Sequence, residues 1–67
     1  MAFKINLNQA SKKDIVENII GINDTTADSI VRYREKTGGF TNFDELHNIG
    51  DVDRETEKKI RNASTLE

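Results

Sequence analysis

The chain has 67 residues and a formal net charge of −2, with 34% hydrophobic residues, 33% charged residues and no cysteine. This length allows one small domain with a thin core, and the lack of cysteine excludes disulfides and thiolate metal sites. No apolar run approaches the roughly 20 residues that a membrane span needs, so we expect no span in this segment. The acidic balance argues against strong, generic binding of nucleic acid.

The N-terminal part of the chain predicts an extended arm followed by a short helix. Residues 3–9 alternate apolar and polar side chains, but a single strand without a visible partner cannot form a sheet. We therefore expect the arm to lie on the helices. Ser11 and Asp14 have the spacing of a capping box, which opens a helix that we expect to end at Gly21. The apolar side chains expected on one face of this helix are Ile15, Val16, Ile19 and Ile20.

A polar turn at residues 21–23 precedes the longest predicted helix. Asn23 or Asp24 can cap this helix, because both side chains can accept a hydrogen bond from a free N–H group of the first turn. The helix should continue to about Thr37, where the glycine pair 38–39 ends it. Its inward-facing side chains are expected to be Ala27, Ile30 and Val31.

Two shorter helices are predicted in the C-terminal half. Asn42 is a candidate N-cap with Glu45 at the third helical position, and the helix that follows should reach about Asn48. Residues 51–53 form a second turn, and the last helix covers about residues 54–63. The predicted fold class is therefore all-α, with short helices and an extended N-terminal arm.

The sequence repeats itself faintly at an offset of 30 residues. The identical pairs are Asp14/Asp44, Asn18/Asn48, Ile19/Ile49, Thr26/Thr56 and Ile30/Ile60. These pairs lie on both sides of the polar turns, which predicts two helix–hairpin–helix units, residues 11–37 and 41–63. Neither unit can bury its own apolar face, so we expect both to pack into one domain over residues 4–63. Residues 1–3 and 64–67 are typical of segments added for expression, and we place them outside the domain.

The segment 5–11, INLNQAS, resembles the opening of the tandem helix–hairpin–helix domain of ComEA-like competence proteins. The similarity covers nearly the whole chain, and its further stretches are residues 21–22, 30–35, 39–40, 43–46 and 48–49. The resemblance implies a module that binds double-stranded DNA weakly and without sequence specificity, with a role in DNA uptake. It also implies a bacterial extracytoplasmic or membrane-anchored location, with the anchor outside this sequence.

The family pattern also implies where DNA would bind. A glycine–hydrophobe–glycine hairpin lets the backbone come close to a phosphate, and the next helix points free N–H groups at it. Carried over to this chain, the implied DNA-backbone contacts are Gly21, Ile22, Asn23, Thr25 and Thr26. The implied basic support is Arg54, Lys58 and Lys59. The chain departs from the pattern at Asn23, which replaces the second glycine, and at Thr26, where a basic residue is usual.

The second hairpin departs further, because Asp51 and Asp53 replace both glycines. Two carboxylates repel a phosphate, so we expect the second binding site to be lost while Val52 keeps its place in the core. Asp53 is instead suited to cap the last helix. The alternative function is therefore a protein-interaction or structural module that kept the scaffold and lost DNA binding.

No catalytic constellation is visible in the sequence. His47 is the single histidine and has no cysteine or second histidine with which to share a metal, and Ser11 lacks a suitably placed base. We therefore expect a non-enzymatic monomer without a small-molecule substrate, whose partner is either double-stranded DNA or a protein. We expect no cofactor, although the resemblance leaves open a monovalent cation at the hairpin carbonyls.

Overall fold

A computed structural model describes residues 4–66 of the chain, and these residues form the predicted all-α fold. The elements in chain order are β1 (Ile5–Asn6), α1 (Lys12–Asn18), α2 (Asp24–Thr37), a 3₁₀ helix (Phe43–Asn48), α3 (Arg54–Ala63) and β2 (Ser64–Thr65). The predictions for Phe3 and for the terminal residues 1–3 and 67 lie outside the described residues.

Local hydrogen bonds set the start of α1 and the end of α2. The Ser11 Oγ accepts from the Asp14 N–H at 3.1 Å, and the Asp14 carboxylate accepts from the Ser11 N–H at 3.4 Å. This confirms the predicted capping box. Gly38 has a left-handed φ of +85° and donates its N–H to the Arg34 carbonyl, which ends α2 where the glycine pair predicted.

The two long helices α2 and α3 begin with the same side-chain cap. The Asn23 Oδ1 accepts from the Thr26 N–H at 2.8 Å, and the Asp53 Oδ1 accepts from the Thr56 N–H at 2.8 Å. Asn23 is therefore the cap of α2, which decides between the two predicted candidates, and the prediction for Asp53 is confirmed. The equal geometry at an offset of 30 residues shows that the repeat duplicates local structure.

The 3₁₀ helix takes the place of the short helix predicted after Asn42. The Glu45 carboxylate accepts from the Asn42 N–H at 3.3 Å and from the Thr41 N–H at 2.6 Å. It also accepts from the Thr41 hydroxyl at 2.7 Å and from the Tyr33 hydroxyl at 3.0 Å. These hydrogen bonds lower the pKa of Glu45 to about 2, and the hydrogen bond from the Thr41 hydroxyl has the largest effect. Glu45 thus fixes the start of the second unit to α2.

Both units contribute to a single core. The largest fully buried side chains are Leu7, Ile15, Ile19, Ile30, Leu46 and Ile60. Ile22 of the first hairpin is buried and Val52 of the second is half-buried against the same cluster, so both hairpins are anchored as predicted. Among the described residues, no helix is both long and apolar enough to cross a bilayer.

The first helix is shorter than predicted, and one of its expected core residues lies outside. The helix ends at Asn18 rather than Gly21, because Ile19 already has an extended backbone with φ −110° and ψ 102°. Side chains that follow one another in extended chain point to opposite sides. Ile19 is therefore buried, whereas Ile20, which we expected on the inner face, is 89% exposed.

The N-terminal arm has a partner strand, contrary to the sequence-based expectation. β1 pairs in parallel with β2, with Ile5 opposite Ser64, and the Leu7 N–H donates to the Thr65 carbonyl at 2.9 Å. Ser64 is almost fully buried. Ser64 and Thr65, which we placed outside the domain, are therefore part of the fold. A periodicity within one segment could not reveal this pair, because its strands lie at opposite ends of the sequence.

Candidate functional site

The first hairpin is a tight turn over residues 19–22 with Gly21 at its third position. The Ile22 N–H donates to the Ile19 carbonyl at 3.3 Å, and Gly21 has φ +88°. A left-handed third residue is the signature of a type II turn, and glycine adopts this conformation without a steric penalty. Because the Ile22 side chain is buried, the turn is held against the core with its backbone outward.

The hairpin and the start of α2 carry free backbone donors. Among the described residues, nothing accepts a hydrogen bond from the N–H groups of Gly21, Asn23, Asp24 and Thr25. All of these residues are exposed, and the positive end of the α2 dipole lies among them. The site therefore offers several donors to one anion, and the Asp24 carboxylate at the same helix end opposes its binding.

The predicted contact residues differ in what they can offer. Gly21 and Thr25 are exposed, and Thr25 keeps its hydroxyl available at the start of α2. The Asn23 side chain is engaged, because its Oδ1 caps α2 through the Thr26 N–H. Ile22 and Thr26 have buried side chains and support the hairpin from below.

The second unit brings a cation to the first hairpin. A Cβ placed on Gly21 would lie 2.8 Å from the Lys59 Nζ and 3.4 Å from its Cε, so the lysine of α3 lies directly against this glycine. Lys59 is exposed and forms no ion pair with any carboxylate of the described chain. Its charge does contribute to the lowered pKa of Asp53, for which the hydrogen bond from the Thr56 N–H is the main cause.

The second hairpin has the same turn hydrogen bond but a different backbone and charge. The Val52 N–H donates to the Ile49 carbonyl at 3.0 Å, yet neither Gly50 nor Asp51 has a positive φ. The central peptide group of this turn therefore has another orientation than in the first hairpin. The Asp51 carboxylate also accepts a hydrogen bond from the Ser29 hydroxyl of α2. Negative charge thus occupies the position at which Gly21 leaves space.

The contacts between α2, α3 and the hairpins are equivalent within the repeat. At the offset of 30 residues, Ser29 corresponds to Lys59 and Gly21 corresponds to Asp51. The second helix of each unit therefore contacts the hairpin of the other unit, Lys59 at Gly21 and Ser29 at Asp51. The two contacts give the hairpins charge of opposite sign. The first hairpin has the Lys59 ammonium group beside it, whereas the second has the Asp51 carboxylate, which accepts a hydrogen bond from Ser29.

Lys59 is the predicted basic residue that the structure places at the first hairpin. Arg54 instead lines a shallow, open cleft beside the second hairpin, together with His47, Val52, Asp53 and Glu57. Lys58 is exposed and makes no ion pair or side-chain hydrogen bond within residues 4–66. A linear sequence could not separate these residues, since all of them lie on the same short helix.

His47 takes part in a network that joins the 3₁₀ helix to α3. Its Nε2 lies 2.7 Å from Oε1 of the buried Glu57, and the Arg61 Nε donates to the Glu57 Oε2 at 2.9 Å. The Arg61 Nη2 also reaches the Asp44 carboxylate at 2.9 Å. Burial raises the pKa of Glu57, but the hydrogen bonds from His47 and Arg61 outweigh it and lower that pKa. No group of metal-binding side chains occurs in the described part of the chain.

The fold and the hairpin geometry together define a tandem helix–hairpin–helix domain. The model of the helix-hairpin-helix motif family matches residues 2–65, and the chain belongs to this family. The family assignment confirms the predicted motif, whereas the closer relation to ComEA-like proteins stays a prediction. Motifs of this kind generally imply nucleic-acid binding.

An uncharacterized protein of Haemophilus influenzae is 36% identical over 58 residues, which cover 87% of this chain and 52% of that protein. The chain thus spans about half the length of this curated relative. No solved structure matches the chain significantly.

Proposed function

We propose that this domain binds double-stranded DNA through its sugar–phosphate backbone, at the first hairpin and without reading base sequence. The observation that carries the proposal is the exposed cluster of free N–H donors at Gly21, Asn23, Asp24 and Thr25. Backbone donors fit phosphate oxygens and carry no information about the bases. Membership of the helix–hairpin–helix family supports nucleic acid as the class of ligand.

Binding should be weak, because the domain offers one phosphate site and an overall negative charge. The second hairpin presents Asp51 instead of an open glycine turn, and the net charge of the chain is −2. Each neutralised phosphate contributes a slope of about −0.9 to the dependence of log K on log salt. We therefore expect a total slope of roughly −1 to −2 for this domain.

The biological setting that we propose follows from the resemblance to ComEA-like proteins. The domain would be a non-catalytic, monomeric module that holds DNA during uptake, in a bacterial protein located outside the cytoplasm or anchored to the membrane. A role of the whole parent protein in DNA uptake is part of the same proposal.

A protein-interaction module is the second candidate, and one observation favours it. Ile20 is 89% exposed directly beside Gly21, and it is the exposed large apolar side chain among the described residues. Together with the acidic Asp51, it would suit a partner with apolar and basic side chains better than a phosphate. In that case the domain would not bind duplex DNA at any salt concentration.

Titration of a labelled duplex, followed by fluorescence anisotropy at low and moderate salt, tests the proposal. Thr25→Glu places a carboxylate among the free donors, and acids are well tolerated in the first turn of a helix. Gln9→Glu is the control, because it makes the same charge change at an exposed residue. Gln9 precedes the N-terminus of α1, whereas the hairpin follows the C-terminus of that helix. We expect the first variant to weaken binding several-fold more than the second.

Two results would overturn the proposal. The first is a wild-type domain that fails to bind duplex DNA even at low salt. The second is binding that does not weaken as salt rises, because phosphate contacts release counterions. Mapping of amide chemical shifts gives an independent readout, in which the largest changes should fall at residues 21–25.

A further inference from the structure

We propose that Lys59 is the phosphate-binding cation of the first hairpin, so that the second unit completes the site of the first. This inference rests on the proposed function. The Lys59 side chain lies against Gly21, with Nζ and Cε at 2.8 Å and 3.4 Å from the position of a Cβ on that glycine. A residue with a side chain at position 21 would displace the lysine. The glycine turn therefore leaves room for the cation beside exposed backbone donors.

The charge balance of the hairpin makes this lysine important. The first turn of α2 carries the Asp24 carboxylate, and Thr26, the residue at the usual basic position of the motif, is uncharged and buried. Without Lys59, an incoming phosphate would meet free N–H groups together with an opposing carboxylate. An exposed ammonium group beside Gly21 reverses this local balance.

Lys59 is available for such a contact. It forms no ion pair in the described part of the chain. Asp53 is the carboxylate that feels its charge, but the Asp53 Oδ1 is held at the helix cap by the Thr56 N–H at 2.8 Å. The ammonium group can therefore turn to a ligand without breaking an existing ion pair.

The repeat supplies an internal comparison for this inference. The residue equivalent to Lys59 is Ser29, and it contacts Asp51, the residue equivalent to Gly21. The same position of each unit thus sets the charge at the hairpin of the other unit. In the second hairpin this position provides a hydroxyl group that is already bound to a carboxylate, which closes that site to a phosphate.

Replacement of Lys59 by glutamine tests the proposal, with Lys58→Gln as the matched control. Both lysines are exposed on α3, and both changes alter the net charge equally. Lys59→Gln should weaken binding of a labelled duplex several-fold and reduce the magnitude of the salt slope by about 1. Lys58→Gln should change the slope much less, and Lys59→Arg should keep both affinity and slope.

The reciprocal variant tests the same inference by gain of function. Ser29→Lys combined with Asp51→Gly gives the second hairpin the glycine and the lysine that the first hairpin has, while Asp53 keeps its capping role. We expect tighter binding than in wild type, a salt slope steeper by about 1, and new DNA-dependent amide shifts at residues 51–54. Asp51→Gly alone is the control for the removal of negative charge.

The outcomes separate this inference from the proposed function. Suppose that wild type binds DNA with a salt slope of roughly −1 to −2, but Lys59→Gln and Lys58→Gln change affinity and slope equally. The role of Lys59 is then refuted, and the hairpin proposal stands. If wild type does not bind DNA, both are refuted. If Lys59→Gln has a lower melting temperature than wild type, Lys59→Arg and the reciprocal variant provide the test instead. The inference is overturned if Lys59→Arg loses affinity and the reciprocal variant does not bind DNA more tightly than wild type.

Discussion

Replacing Gly21 by alanine tests the backbone geometry on which the candidate site depends. Gly21 has φ +88°, a conformation that disfavours residues with a Cβ by about 1–2 kcal/mol. The new methyl group would also lie 2.8 Å from the Lys59 Nζ, but the far end of a lysine can move away at little energetic cost. We therefore expect the free energy of unfolding to fall by about 1–2 kcal/mol, mostly from the backbone.

The measurement is urea and thermal unfolding followed by circular dichroism. A loss of this size should lower the melting temperature by about 4–8 °C per kcal/mol in a domain this small. Gly50→Ala is the matched control, because Gly50 lies in the second turn and has no positive φ. Within the described chain, a methyl group on Gly50 would also have open space for 4 Å around it. Alanine there restricts the unfolded chain and should be neutral or stabilising by up to about 1 kcal/mol.

A double-mutant cycle separates the two contributions at Gly21. In a Lys59→Ala background the side-chain contact with position 21 is absent, so the remaining loss on Gly21→Ala reports the backbone alone. We expect most of the destabilisation to persist in that background. The reasoning is refuted if Gly21→Ala is as stable as wild type, or if Gly50→Ala loses as much stability as Gly21→Ala.

Two further predictions concern acid stability and the C-terminal strand. The pKa of Glu45 is lowered from 4.5 to about 2, chiefly by the Thr41 hydroxyl, so its stabilising contribution is complete above about pH 4.5 and is lost as pH falls towards 2. Glu45→Gln should flatten the stability profile over that range in urea titrations at several pH values, and an unchanged profile would contradict the assignment. Deletion of residues 64–67 removes β2 and the bond from the Leu7 N–H to the Thr65 carbonyl. We expect a loss of about 2–4 kcal/mol from a total of about 3–10 kcal/mol, and a shortened chain that melts with wild type would refute this.

Residues that act over a few positions of the chain could be predicted from the sequence. Ser11 and Asp53 were expected as caps, and Asn23 was one of two candidates. Each of the three accepts a hydrogen bond from the N–H of the residue three positions later. Gly38 ends α2 as expected, in the left-handed conformation that glycine favours. Such bonds close within one helical turn, so the local residue types are enough to specify them.

The errors occurred where the main chain leaves regular structure or pairs over a long distance. Ile20 continues the apolar run of α1 in sequence, but the extended backbone at Ile19 turns it outward. Ser64 and Thr65 have no local pattern that identifies a strand, and they become one because they meet β1. The backbone conformation at Ile19 decides the first case, and pairing with β1, which is distant in sequence, decides the second.

By itself, the sequence determined the tandem helix–hairpin–helix architecture, since the repeat places apolar anchors and caps at equivalent positions in both units. It also located the first hairpin as the candidate site and showed that acids occupy the second. Only the tertiary structure decided which of the predicted basic residues lies beside that hairpin. Lys59 lies far from Gly21 in sequence, and packing of α3 across the repeat brings the two together. The same packing joins Ser29 to Asp51, so contacts between the units determine the charge at each hairpin.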